Sequence, residues 1–349
     1  MQGLNDTKTK LVLVFSLLLA GSELFAVTEK GQVERIVVHG KSLVGNLAGD
    51  PPDRHISVYL PPGYNQKNGR HYPVLYLLHG FTNSDYRWFG IEGGETFANL
   101  PVAADNAIEA GANGLIIVMP DAFTKYQGSM YSNSVTTGNW EAFIVEDLVA
   151  HIDKHYKTLA HRNSRGLAGH SMGGYGAIRI GMKFPLVFSS LYAMNPCCLT
   201  ANLHPNPELV QKASVIHTDE DILNAEFLTK AVLASAAAWS PNPTRPPRYL
   251  DLPIEDGQPR PEVIARWAAN APMAMIHQYI SGLRQYNAIG LEAGNEEPGI
   301  APATSGFSKA LGAYGIKHFI EIYPGGHRDQ VAQRLEKTVL PFFSSNLKF

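Results

Sequence analysis

The sequence has little cysteine and little net charge, and both shortages narrow its possible functions. Its 349 residues contain two cysteines, Cys197 and Cys198, which are adjacent. Neighbouring cysteines can join only in a strained ring, so the chain has no disulfide framework. We interpret the pair as two small apolar side chains, with a vicinal disulfide as the alternative. The formal net charge of −2 gives no electrostatic basis for binding nucleic acid or an anionic membrane.

The N-terminus lacks an apolar run long enough to span a bilayer, which takes about 20 residues. Residues 11–20 are apolar or small, follow Lys8 and Lys10, and precede further small residues up to Ala26. This order is typical of a signal peptide. We predict that residues 1–26 are cleaved, and that the mature protein is secreted or periplasmic without a membrane anchor. An uncleaved N-terminal helix is the alternative.

Clusters of metal ligands are also missing. His151 and His155 stand four residues apart on a predicted helix that begins after Asn139. The residue after His151 is Ile152, however, where an H-E-x-x-H metalloprotease needs its glutamate base. We therefore interpret the two histidines as part of a solvated helix face, and we expect neither a metal nor a cofactor.

The motif G-x-S-x-G occurs once, at residues 169–173. A short predicted strand, 164–168, precedes it, and a predicted helix of small residues, 172–182, follows it. This context is that of a nucleophile elbow, in which a serine is exposed on a sharp turn between strand and helix. The pattern predicts that Ser171 is a nucleophile and that the backbone N–H of Met172, at the helix N-terminus, faces a developing oxyanion.

Alternating strands and helices around this motif predict the fold. The apolar run 72–78 indicates a strand that is buried on both faces. Further strands are predicted at 33–38, 56–60, 115–119, 187–194, 288–293 and 318–323. This alternation predicts an α/β protein with a mostly parallel central sheet flanked by helices. The backbone N–H of Phe81, which follows the run 72–78, is the predicted second oxyanion donor. The alternative is that His79 only caps the end of this strand.

Residues 199–286 interrupt the alternation. They contain no convincing strand, two amphipathic stretches, and seven prolines between positions 241 and 261. We interpret this segment as a cap over the C-terminal edge of the sheet, inside one catalytic domain of residues 27–349. A separate second domain is the alternative.

The last predicted strand ends in Pro324-Gly325-Gly326-His327, which makes His327 the candidate base. Serine, acid and histidine then follow one another in the order found in α/β-hydrolases. The carboxylates at 219–262 lie in the predicted cap, and Glu292 and Glu321 lie inside predicted strands. Glu296 and Glu297 remain as candidates for the acid, because they stand just past a strand end.

Several stretches together resemble the esterase D family of α/β-hydrolases, which includes feruloyl and acetyl-xylan esterases, S-formylglutathione hydrolases and antigen 85 mycolyltransferases. The matching stretches are 58–64, 72–80, 88–90, 139–140, 169–177 and 325–327. The resemblance places the family's nucleophile on Ser171, its histidine on His327 and its oxyanion donors on Phe81 and Met172. The family's acid is usually an aspartate three residues after a glycine, a position that Glu297 occupies here. For that reason, and because Pro298 stiffens the loop, we favour Glu297 over Glu296.

The resemblance and the motifs together predict a secreted serine carboxylic ester hydrolase with an acyl-enzyme intermediate and a Ser-His-Glu triad. The expected partner is a small-molecule or polysaccharide-linked ester, with feruloyl, acetyl or other aryl and short-chain esters favoured. The alternatives are acyl transfer of the mycolyltransferase type, since an acyl-enzyme accepts any well-placed hydroxyl, and a binding module without activity.

Overall fold

The computed structural model describes residues 29–91 and 96–349. The predicted signal peptide, residues 1–26, lies outside the described residues. Within them, every helix is too short or too polar to cross a membrane.

One eight-stranded sheet organises the described chain. Its strands are β1 Gln32–His39, β2 Asp53–Leu60, β3 Val74–Leu78, β4 Ile116–Pro120, β5 Arg165–His170, β6 Ser190–Met194, β7 Ala288–Gly294 and β8 Phe319–Tyr323. Their spatial order is β1-β2-β4-β3-β5-β6-β7-β8. β2 pairs antiparallel with both of its neighbours, and the pairs from β4 to β8 are parallel. The prediction of a mostly parallel sheet is confirmed.

Helices cover both faces of the sheet and bury the apolar strands β3, β4 and β6 completely. Outside the predicted cap they are α1 Asp85–Phe89, α2 Leu100–Glu109, α3 (Trp140–Ala142, a π-helical segment Phe143–Leu148, and Val149–His155) and α4 Met172–Lys183. Near the C-terminus lie the helix Ile300–Ala313 and a final helix of three segments, Val331–Arg334, Leu335–Val339 and Leu340–Asn346. The Asn139 side chain accepts a hydrogen bond from the N–H of Ala142, so α3 begins as the sequence predicts.

The first two strands hold α1 in place through a buried carboxylate. Asp85, at the start of α1, is fully buried. It accepts hydrogen bonds from Nε of Arg35 on β1, at 2.9 Å, and from Oγ of Ser57 on β2, at 2.7 Å. A buried carboxylate needs such partners, because its desolvation is otherwise uncompensated. The first two strands therefore fix the helix that leads toward the candidate site.

The segment between β6 and β7 contains five helices and one short hairpin. The helices are α5 Pro207–Ser214, α6 Asp219–Asn224, α7 Phe227–Trp239, α8 Pro261–Ala269 and α9 Pro272–Leu283, and the hairpin pairs Ile254–Glu255 with Gln258–Pro259. α9 packs against α4, where Ile276 and Leu283 join Ile178 and Met182 in one apolar cluster. The end of the segment is thus part of the layer beside the sheet.

Candidate active site

Ser171 occupies the sharp turn between β5 and α4. Its backbone has φ 56° and ψ −115°, a conformation that costs energy for any residue with a side chain. The neighbouring backbone holds it there: the N–H of Ser171 donates to the carbonyl of Met194, at 2.9 Å, and its carbonyl accepts from the N–H of Cys197, at 3.2 Å. The predicted elbow is therefore present, with its serine at the carboxyl edge of the sheet.

The two glycines of the motif allow α4 to approach the sheet closely. A Cβ on Gly173 would lie 1.9 Å from the carbonyl oxygen of Leu78, and a Cβ on Gly169 would lie 2.2 Å from the carbonyl oxygen of Gly173. Both contacts are with backbone, which cannot move aside as a side chain can. Any larger residue at either position would displace α4 and with it Ser171.

His327 lies on the loop after β8, with its Nε2 atom 2.9 Å from Oγ of Ser171. Two side chains hold the backbone of this loop through the carbonyl of His327: Nε2 of His170 donates to it at 2.8 Å, and Nδ2 of Asn195 donates to it at 3.3 Å. Burial lowers the pKa of His327, Glu297 opposes that shift, and the charge of Arg328 adds to it. A neutral imidazole is the form that can accept a proton from serine.

Among the described residues, Glu297 is the carboxylate that forms an ion pair with the other nitrogen of His327. Its Oε2 atom lies 3.8 Å from Nδ1, and both side chains are about one quarter exposed, at 26% and 28%. In the described part of the chain, Nδ1 of His327 is buried without a hydrogen-bond partner. Glu296, by contrast, is exposed. Its backbone N–H donates to the carbonyl of Gly325, which joins the loop after β7 to the loop of His327.

Asn195 joins the ends of three strands and was not singled out by the sequence analysis. It follows β6, is fully buried and has a positive φ of 42°. Its Oδ1 accepts from the N–H of Gly294, at 2.8 Å, where β7 leads into the loop of Glu297. Its Nδ2 donates to the hydroxyl of Tyr323 on β8, at 2.7 Å, as well as to His327. One amide thus ties the loops of both proposed triad partners to the sheet.

His170 was also missed, although it lies inside the motif. It is buried between the rings of Trp88, Phe97 and His327. Burial and the neighbouring His327 lower the pKa of His170 to about 3, so it stays neutral in ordinary conditions and donates from Nε2. Its position before Ser171 was the available signal, but its role depends on a contact 157 residues away in the chain.

The two predicted oxyanion donors, Phe81 and Met172, belong to segments that adjoin Ser171. Met172 is the first residue of α4, where the backbone N–H has no carbonyl of its own helix to bind. Gly80 lies against the serine, because a Cβ there would come within 3.3 Å of Cβ of Ser171, and Phe81 follows it. The side chains of Phe81 and Met172 meet at Gly128, where an added Cβ would lie 2.7 Å from an atom of each.

His79 supports this loop from inside. It is fully buried, and its Nε2 atom accepts a hydrogen bond from the N–H of Ala122, at 2.8 Å. Its backbone carbonyl accepts from the hydroxyl of Tyr131, at 3.1 Å. Burial lowers the pKa of His79, which keeps it neutral and able to accept. The histidine is a structural anchor for the backbone that carries Phe81.

A small open cleft of about 100 Å³ leads to Ser171 and His327. Its lining residues are Gly80, Phe81, Thr82, Asn83, Arg87, Phe97, His170, Ser171, Phe227, His327 and Arg328. Phe227, the first residue of α7, contributes from the predicted cap and packs edge-on against Phe81, with ring centroids 5.5 Å apart. The cleft therefore has aromatic walls from the sheet loops and from the cap segment.

The remaining candidate groups lie apart from this cleft or have other partners. Cys197 and Cys198 are free thiols with their sulfur atoms 2.8 Å apart. The rings of His151 and His155 stack on α3, and His155 is hydrogen-bonded to the carbonyl of His151. In residues 29–91 and 96–349, no three histidine, cysteine or acidic side chains gather as a metal site would require.

The strand order and the elbow between β5 and α4 define an α/β-hydrolase. The Esterase family profile matches residues 51–331, four fifths of the chain, so the chain belongs to this family of ester hydrolases and resembles its esterase D-like members. Esterase Rv1288 of Mycobacterium tuberculosis is 36% identical over 141 residues, which are 39% of this chain and 27% of that protein. An endo-1,4-beta-xylanase/feruloyl esterase of Xylanibacter ruminicola is 29% identical over 186 residues, 52% of this chain and 24% of that protein.

Among solved structures, a ferulic acid esterase superposes with a TM-score of 0.62 at 22% identity, covering 91% of this chain and 100% of that one. At that identity the likeness shows the fold alone. The two curated relatives named above are longer proteins, of which this chain spans about a quarter. Activity, substrate and location of this particular protein are therefore matters for proposal.

Proposed function

We propose that this protein is an exported serine carboxylic ester hydrolase that works through an acyl-enzyme. The observation that carries the proposal is the 2.9 Å separation between Nε2 of His327 and Oγ of Ser171, on an elbow whose serine is held in a strained conformation. A serine hydroxyl is a weak nucleophile at its ordinary pKa and needs an adjacent base. The lowered pKa of His327 leaves its imidazole free to serve as that base near neutral pH.

In the first half of the proposed reaction, Oγ of Ser171 attacks the ester carbonyl carbon while Nε2 of His327 takes the hydroxyl proton. The carbonyl oxygen becomes an oxyanion, which accepts hydrogen bonds from the backbone N–H groups of Phe81 and Met172. The tetrahedral intermediate then collapses. The bond to the alcohol oxygen breaks, and that oxygen takes the proton from His327.

In the second half, water replaces the alcohol. His327 removes one proton from the water while the water oxygen attacks the acyl carbon. The ester bond to Ser171 then breaks, and Oγ of Ser171 takes the proton back from His327. The carboxylate of Glu297 would face Nδ1–H of His327 throughout, hold the ring in the required tautomer and stabilise the imidazolium. Catalytic hydrogen bonds are often long before substrate binds, so a separation of 3.8 Å is compatible with this role.

The proposed substrates are extracellular aryl or short-chain esters, small or attached to a polysaccharide. Three phenylalanines, Phe81, Phe97 and Phe227, line the cleft and offer apolar contacts to aryl or short acyl groups. A feruloyl esterase among the relatives supports the same class. Export is proposed from the N-terminal sequence, whose charged start and short apolar run are typical of a signal peptide.

Labelling with a fluorophosphonate tests the proposal directly, because the reagent bonds only to an activated serine. We expect the wild-type protein to be labelled and to hydrolyse 4-nitrophenyl acetate. Ser171→Ala should lose the label and lower kcat by about 10³-fold or more while remaining folded. Ser345→Ala, which changes an exposed serine on the last helix, is the matched control and should behave as wild type. Hydrolysis by folded Ser171→Ala at the wild-type rate would refute the proposal.

A further inference from the structure

Among the residues that the structure describes, the arginines that line the cleft supply its charge. The eleven described residues of its lining include two arginines, Arg87 and Arg328, and no aspartate or glutamate. Thr82 and Asn83 add neutral polar groups, and three phenylalanines supply the apolar part. A neutral acetyl or aryl ester uses the apolar walls but offers no anion to the guanidinium of Arg328.

Arg328 follows His327 directly, so it is placed beside the proposed base. Its guanidinium lies over the ring of Phe97, 5.1 Å from the ring centroid. Across the described part of the chain, no carboxylate forms an ion pair with it. The adjacent acid, Asp329, has another partner, because its carboxylate accepts the backbone N–H of Gly326 at 3.0 Å. Glu297 is the acid that faces His327.

This arrangement leaves the Arg328 guanidinium oriented but without an anion. The contact with Phe97 holds the guanidinium at the rim of the cleft, where its N–H donors are available to a ligand. Arginine presents these donors in a fork that matches the two oxygens of a carboxylate.

Taking the proposed ester hydrolysis as given, we infer that the preferred substrates carry a carboxylate near the scissile ester and that Arg328 binds it. The ester carbonyl would lie at Ser171, and the connecting carbons would pack against Phe97. Arg328 would thus select substrates by charge, whereas the phenylalanines select them by shape. The carboxylate could belong to the acyl group or to the alcohol, and paired substrates distinguish the two.

The acyl-side pair compares 4-nitrophenyl monoesters of dicarboxylic acids with 4-nitrophenyl esters of monocarboxylic acids of equal chain length. The alcohol-side pair compares 4-acetoxybenzoate with 4-acetoxybenzamide, which have nearly the same shape. For each pair the measured quantity is the ratio of kcat/KM, charged over neutral, at pH 8 and after subtraction of spontaneous hydrolysis. A ratio within one enzyme cancels any effect of a substitution on the serine and histidine themselves.

In the wild-type enzyme we expect a ratio above 1 in one of the two pairs. Arg328→Gln should lower that ratio about tenfold, and Arg328→Lys should lower it less, because lysine keeps the charge but loses the fork. Arg70→Gln is the matched control: Arg70 is exposed and stacks on Tyr72 in the same way, at 4.9 Å, outside the cleft. Its ratio should equal that of wild type. Added salt should reduce the ratio of wild type more than that of Arg328→Gln.

A ratio below 1 in both pairs, or a ratio unchanged by Arg328→Gln, would overturn the inference and leave the proposed hydrolysis intact. Failure of the wild-type enzyme to cleave any of the four substrates, together with no fluorophosphonate label on Ser171, would instead remove the proposed function on which the inference rests.

Discussion

The carboxylate of Glu297 lies 3.8 Å from Nδ1 of His327, and in the described chain that nitrogen has no hydrogen-bond partner. A buried N–H without an acceptor is costly, so we expect this contact to shorten when the imidazole becomes charged. The neighbouring Glu296 is exposed and faces no histidine nitrogen within ion-pair distance. We therefore expect substitution of Glu297 to slow the reaction and substitution of Glu296 to have little effect.

Glu297→Gln should lower kcat by roughly 10²- to 10⁴-fold, because the imidazolium loses the charge that stabilises it. Glu296→Gln removes the same charge one residue away and should change kcat by less than about twofold. Steady-state kinetics with one neutral ester measure both. The reverse order of effects, or equal activity of the two variants, would show that another group orients His327.

Asn195 should act on the reaction through the loops that it holds. Asn195→Asp keeps an acceptor for the N–H of Gly294 but loses the donor to Tyr323 and His327. We expect kcat to fall about 10- to 100-fold with KM little changed, because the proposed base loses its position rather than its chemistry. Tyr323→Phe removes only one of the partners and is the milder control. If Asn195→Asp raised KM alone, the residue would belong to substrate binding instead.

The acid side of the pH profile follows from the environment of His327. An ordinary histidine has a pKa near 6.5, and burial lowers the pKa of His327 below that value. The base must be neutral, so kcat/KM should fall as the pH drops through a midpoint below 6.5. Glu297 raises this pKa and Arg328 lowers it. Glu297→Gln should therefore move the midpoint to lower pH, and Arg328→Gln should move it to higher pH.

Rates over about pH 4 to 9 measure this midpoint, with Arg70→Gln as the control that should not move it. A midpoint above 6.5 would contradict the assignment of the acid side of the profile to His327. Shifts of the same sign in Glu297→Gln and Arg328→Gln would contradict it as well. His170 should not contribute in this range, because its pKa lies at about 3.

The buried ion pair between Glu292 and Arg334 leads to a prediction about stability rather than rate. Glu292 on β7 is fully buried and accepts hydrogen bonds from Arg334, at 2.7 Å, and from the hydroxyl of Tyr192, at 2.7 Å. Arg334→Met leaves a buried carboxylate without its cation, and should lower the free energy of unfolding by about 3–5 kcal/mol. Adding Glu292→Gln should recover part of this loss. Urea unfolding measures both, and a loss below about 1 kcal/mol would contradict the prediction.

The elbow is predictable from the sequence because all its determinants lie within about ten residues. The strand, the turn glycines and the small-residue helix constrain Ser171 locally. His327 is harder to identify, yet its place after the last strand of an alternating pattern suffices, because the carboxyl ends of parallel strands meet at one edge. The same reasoning reduced the acid to two adjacent glutamates.

The supporting residues could not be predicted in this way. Asn195 binds Gly294 and His327, which are about a hundred residues and more away in the chain, so no local pattern marks it. Arg328 looks like an ordinary charged residue until its ring contact with Phe97 places it in the cleft. The packing of α9 against α4 likewise depends on tertiary contacts between two helices that the sequence presents only as amphipathic.

The ion pair between Arg35 and the buried Asp85 sets a practical limit on how short this protein can be made. Expression of residues 51–331 alone, the span matched by the family, would delete β1. The buried carboxylate of Asp85, at the start of α1, would then lose its arginine partner, and the same helix carries Arg87 and Trp88. The same truncation would also delete Phe343, whose ring fills the space left by the absent side chain of Gly166 on β5. We therefore expect that residues 51–331, the part matched by the family, do not suffice for folding.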